Sequence, residues 1–149
     1  MRAGLRTVIA GGILATFTAA QSLLTTYFVK QGAMTTQSCV DSGMRNIDDL
    51  LDLLATREPA VPGGDRVLIQ QRARMRSIRT GLQRIQWRLD DLGPDNRWSN
   101  INILTAPGLA LQMLENNNTC VQLQYQLLAE YTIAAGYTRP KEVPDAHDR

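Results

Sequence analysis

Apolar and polar positions along the chain change rhythm several times. From Thr7 to Val29 no side chain is charged, although Gly11, Gly12, Thr16, Thr18, Gln21, Ser22, Thr25 and Thr26 interrupt the apolar run. As a helix rising about 1.5 Å per residue, this stretch spans roughly 35 Å, enough for a ~30 Å hydrocarbon core. Gln31–Ser38 is polar and small, and reads as a linker. From Cys39 to Arg57 the positions Val40, Met44, Ile47, Leu51 and Leu54 step by 4, 3, 4 and 3, the spacing of a coiled-coil-like helical face. Leu50 and Leu53 widen that face, and Asp41, Asp48, Asp49 and Asp52 make its flank acidic. Pro59, Pro62, Gly63 and Gly64 predict a turn.

A second helix opens at Asp65, a residue type suited to an N-cap, and runs to Leu92 before Gly93-Pro94. Its seam is Leu68, Gln71, Met75, Ile78, Leu82, Ile85, Leu89 and Leu92, with one polar member. Gly81 costs about 1 kcal/mol relative to Ala in such a helix and marks a close approach of helices. Residues 95–106 read as an irregular loop whose Trp98, Ile101, Ile103 and Leu104 cap the lower end of the core. The third helix opens near Thr105-Ala106-Pro107, since Pro is tolerated in a first turn, and ends near Gly136. Along it the pairs Met113/Leu114, Cys120/Val121, Leu127/Leu128 and Ala134/Ala135 recur every seven residues.

The pattern predicts an all-α chain: an N-terminal transmembrane helix followed by an up-down-up three-helix bundle with coiled-coil-like seams. The organisation is a membrane anchor or uncleaved signal at 1–30, a linker at 31–38, a bundle at 39–137, and a disordered, proline- and charge-rich tail at 138–149.

Two cysteines, Cys39 and Cys120, both follow the anchor. In an oxidising compartment such a pair is a disulfide candidate, and in the cytosol a pair of free buried thiols. Register favours the bond. Cys39 stands 18 residues below Arg57, and in a parallel third helix ending at Tyr137–Thr138 the level 18 residues below the top is Thr119–Cys120. A bond closing so long a loop contributes about 4 kcal/mol in the chain-entropy model.

Charge narrows the partners. The formal net charge is +2, too mild for a nucleic-acid partner. Fourteen of the sixteen basic residues are Arg, which suits fixed ion pairs. Arg66, Arg72, Arg74, Arg76, Arg79, Arg84 and Arg88 surround the second helix with no aromatic interleaving beyond Trp87. Pairing with the acidic first helix sets orientation more than stability. Arg72, Arg76, Arg79 and Arg84 are the candidates for docking an acidic partner protein. Asp48, Asp49 and Asp52 read as a solvated or arginine-paired face rather than an acid–base or metal cluster.

No catalytic residue, cofactor site or metal site is expected. His147 is the only histidine and lies in the tail. One His and two distant Cys make no zinc site, and no Gly-rich phosphate loop is present. Asn116-Asn117-Asn118-Thr119 holds a glycosylation sequon at Asn117. Its position reads instead as a polar layer, with Asn117 near the seam setting register as buried Asn does in coiled coils.

Arg2 and Arg6 precede the apolar run, with Lys30 and Arg45 beyond it. This bias favours an N-in single-pass protein with its C-terminal domain in the periplasm. One alternative is a signal peptide with the h-region Thr7–Phe17 cut before Gln21, releasing a soluble periplasmic or secreted binding module of inhibitor, immunity or chaperone-like type. Another is a mitochondrial address, placing the domain in the inner membrane facing the intermembrane space. The leading expectation is a non-enzymatic structural or assembly subunit of an envelope membrane complex, with the membrane and other proteins as partners and neither nucleic acid nor a small-molecule substrate.

Overall fold

A computed structural model describes residues 2–57, 65–93 and 97–136, with side chains from residue 18 onward except at 57 and 65. Among these residues the chain is all-helical: α1 (Arg2–Arg57), α2 (Asp65–Asp90) and α3 (Ala106–Ala135). The expected turn at Pro59–Gly64, Pro94 and the tail with His147 lie outside the described residues.

The expected linker is not a break. α1 runs unbroken for 56 residues, so the helix anticipated from Cys39 starts far earlier. The hydroxyls that make Gln31–Ser38 look like a linker bond back into the helix. Thr36 Oγ1 donates to the Gly32 carbonyl at 2.8 Å and Thr35 Oγ1 to that of Gln31 at 3.0 Å. Ser22, Thr25 and Thr26 do the same one turn apart. A hydroxyl satisfied by the i−4 carbonyl no longer competes with helical geometry. Ala33, Thr36 and Gln37 are buried, which adds tertiary support.

Cross-helix pairs give the topology. Gln37 and Gln86 exchange amide hydrogen bonds at 2.7 and 3.2 Å, and farther up α1 Asp48 accepts from Arg79, so α2 descends beside α1. Arg88 meets Asn116 at 2.8 Å and Arg74 meets Glu130, so α3 ascends again. α1 and α3 are parallel and make the most extensive pairing in the molecule.

All eight positions of the α2 seam are buried, Gln71 included. Its amide donates to the Glu130 carbonyl at 3.0 Å, which removes the penalty of its burial. On α1 the buried set is Val29, Ala33, Val40, Ile47, Leu50 and Leu54, while Met44 and Leu51 are only half-buried. α1 touches two helices, so its apolar stripe is wider than a single seam and centres one residue earlier than expected.

The α2–α3 connection caps the core only in part. Ile101 is buried and Trp98 half-buried, but Ile103 and Leu104 face outward, Leu104 at 91 % exposure. The Asn102 carboxamide oxygen accepts from the Leu104 and Thr105 amides at 2.9 and 3.2 Å, and Thr105 Oγ1 donates to the Asn100 carbonyl at 2.7 Å. This side-chain turn holds residues 103 and 104 away from the bundle. Gly93, at φ 145°, begins the connection, and a Cβ there would stand 2.4 Å from the Ser99 nitrogen.

The disulfide joins Cys39 to Cys120 with their Cα atoms 6.4 Å apart. One turn above it, Gln124 Nε2 donates to the Cys39 carbonyl at 2.8 Å. Gly43 makes room for that contact: a Cβ there would lie 2.8 Å from Gln124 Nε2 and 2.7 Å from a Leu82 methyl. At Gly81, as its presence in the helix predicts, a Cβ would lie 2.9 Å from Leu123.

Among the described residues no helix is long and apolar enough to cross a membrane. Most of the expected anchor has its side chains outside those described. The end of the run, however, belongs to the bundle: Val29 is 3 % exposed and shares a groove with Met113 of α3.

Two outcomes are expected. On non-reducing gels the protein should migrate faster than after reduction, with the difference absent in Cys39→Ser and Cys120→Ser, and the double variant should lose about 2–4 kcal/mol of stability in urea. Gly108→Ala, which meets nothing within 4 Å, should raise stability by up to about 1 kcal/mol. Gly43→Ala should instead lower it, because overpacking at a buried contact costs about 1–3 kcal/mol and outweighs the gain in helix propensity.

Candidate functional site

The four arginines singled out for docking do not form one patch. Arg72, Arg76 and Arg79 step by 4 and 3 and line a single groove between α1 and α2, together with Ile47, Leu51 and Met75. Arg84, five residues beyond Arg79, is exposed on a different face. Arg72 and Arg79 are half-buried, and Arg79 bonds to Asp48. The Arg79 and Asp48 side chains keep 38 % and 67 % of their surface exposed, so the pair contributes about 0–1 kcal/mol. Asp49 and Asp52 are exposed.

The strongest arginine contact involves a residue outside the docking set. Arg74 forks onto Glu130 at 2.5 and 3.1 Å, and the Glu130 side chain is only 9 % exposed. A carboxylate so buried requires a partner, and α3 supplies the acid where α1 was expected to. The register-setting asparagine also differs. Asn116, wholly buried, takes the seam position and accepts from Arg88, whereas Asn117 is half-buried on the rim of a groove. The seam of α3 passes through Met113, Asn116, Cys120, Leu127 and Ala134, so it keeps one member of each expected pair and differs by one residue only at the asparagine.

The surface that sequence reasoning did not single out is the outer side of α3. Leu111 is 77 % exposed, Leu114 67 %, Tyr125 70 % and Leu128 63 %, with Val121 between them. A groove of about 490 Å³ runs beside the upper part, walled by Asn46 and Asp49 of α1 and by Tyr125, Leu128 and Tyr131 of α3. A second groove at the lower end is lined by Thr25, Phe28, Ala110 and Leu114. The signal was in the sequence as the heptad-spaced pairs. The first member of each pair, Met113, Cys120, Leu127 and Ala134, is buried, while the second faces out. Outward faces of α1 and α2 carry Asp and Arg, whereas α3 has only Glu115 and Glu130 as charged residues. A run of large apolar side chains without charged cover is the mark of an interaction surface. Its chemistry is recognition by apolar packing.

Arg74→Ala should destabilise the fold by about 2–3 kcal/mol, since removing one partner strands a buried charge. Arg76→Ala, on the exposed rim, should change it by less than about 0.5 kcal/mol, both read from urea midpoints. Compared with known protein families, curated proteins and solved structures, the chain matches none.

Proposed function

We propose that this chain is a non-enzymatic, single-pass membrane protein whose exported helical bundle is a structural subunit of an envelope assembly. The observation that carries the reading is the charge-poor apolar flank of α3, which the fold leaves uncovered. The uncharged run Thr7–Val29, continuous as helix with the bundle, supports an anchor, and the Cys39–Cys120 bond supports an oxidising compartment. Because Val29 packs on α3, the membrane-embedded part ends near Leu24, at the short end of spanning lengths. Tyr27 and Phe28, both exposed, then fall at the membrane–water boundary, where aromatic rings are favoured. The arginine groove of α1 and α2 serves as a secondary contact for acidic protein surfaces.

One observation favours a second reading. Burial of Val29 takes the end of the apolar run into the bundle, as in a soluble module released by cleavage before Gln21.

Carbonate washing should leave the protein in the membrane pellet, and extraction in mild detergent should yield it bound to other polypeptides. Recovery of an intact, freely soluble monomer would sink the anchored reading, and an N-terminus at Gln21 in the mature protein would establish the second.

A further inference from the structure

The outer side of α3 is a heptad seam in its own right. Leu111, Asn118 and Tyr125 are spaced by seven, as are Leu114, Val121 and Leu128. Together they give the alternating 3 and 4 steps of a two-stranded coiled coil, with an asparagine among the first set. Folding of one chain uses only the inner seam. We propose that the outer seam pairs with the same seam of a second copy of this chain, in parallel, about a two-fold axis along α3, with the two Asn118 amides bonded to each other. The inference rests on the assembly-subunit reading and names the subunit's first partner.

Charge points to a second copy. The seam is bordered by Asn117, Gln124 and Tyr131 on one side and by Glu115, Gln122 and Ala129 on the other. Along α3 itself an acidic or basic partner finds only Glu115 to read, with Asp49 of α1 at the edge of the adjoining groove. A second copy meets no repulsion, because parallel alignment sets Glu115 against Ala110 of the other chain.

Asn118 selects the direction. It is exposed in the single chain, so it performs no service in the core. In a parallel pair the two asparagines face each other and satisfy their amides. In an antiparallel pair with the seam centred, Asn118 faces Val121 and its amide loses water without gaining a partner. Parallel pairing is also what copies inserted through their N-terminal segments require, since α3 runs in the same direction as α1.

Area agrees. The five apolar seam residues are 40–77 % exposed. At roughly 100 Å² each they remove about 1,000 Å² across two copies, the lower bound for a specific interface. Each seam residue enters a hole formed by four residues of the facing α3, and because both copies use the same residues the contact is isologous and closed.

The test uses the full chain in mild detergent, with mass from sedimentation equilibrium. Wild type should be a dimer of the 16.5 kDa chain at micromolar concentration, and added salt should not dissociate it. Tyr125→Arg and Leu114→Glu, both at exposed positions, should each weaken association at least 100-fold while far-UV circular dichroism stays as in wild type, and their melting temperatures should lose the dependence on protein concentration that a dimer shows. A photoreactive residue at position 111 should capture the 108–115 stretch of the second copy. A monomeric wild type, a dimer indifferent to both substitutions, or capture near Leu128 overturns the proposal. A monomer that binds a different protein through this face, released by Tyr125→Arg, overturns the second copy and leaves the assembly reading standing. A monomer with no partner removes both.

Discussion

The parallel approach of α1 and α3 at the level of Cys39 and Cys120 is the constraint on which the rest of this molecule depends. A bond at one level fixes the axial register of two long helices, and neighbouring side chains have adapted to it. Gly43 leaves space for Gln124 to reach the Cys39 carbonyl, and for Leu82 of α2 to close the third side. Below this level, Gly32 and Ala33 bring α1 close to Met113. α2 packs against this aligned pair.

Polar contacts are distributed with the same logic. Each helix pair has its own: Gln37 with Gln86, Arg74 with Glu130, Gln124 with the Cys39 backbone. Exposed members contribute little to stability, yet each is satisfied in only one register. Hydrophobic burial drives the collapse without choosing among one-turn slips, and buried amides and carboxylates penalise the slips because they would be left unpaired.

The α2 seam was fully legible in the sequence because a helix packed on two neighbours of similar character keeps strict 3-and-4 spacing. The disulfide was legible because both helix ends had clear punctuation. α1 was legible as two helices, Thr7–Val29 and Cys39–Arg57, but not as one. Polar residues at 31–38 read as a break, and only the structure shows their hydroxyls turned back onto the helix. The outer face of α3 was written plainly as adjacent apolar pairs, but a doubled stripe reads as one broad core face until burial separates its members. Asn116 and Asn117 could not be told apart from periodicity, since a one-residue phase error is within the uncertainty of any helix end.

Continuity of α1 has a mechanical consequence. With no hinge between Arg2 and Arg57, the helix acts as a single mast about 84 Å long. Whatever grips its foot sets the azimuth of the head as well as its height. Each residue added to or deleted from the lower shaft swings the bundle by about 100° around the mast and shifts it by about 1.5 Å. The compass bearing of the α3 face is thereby written into the chain length below it.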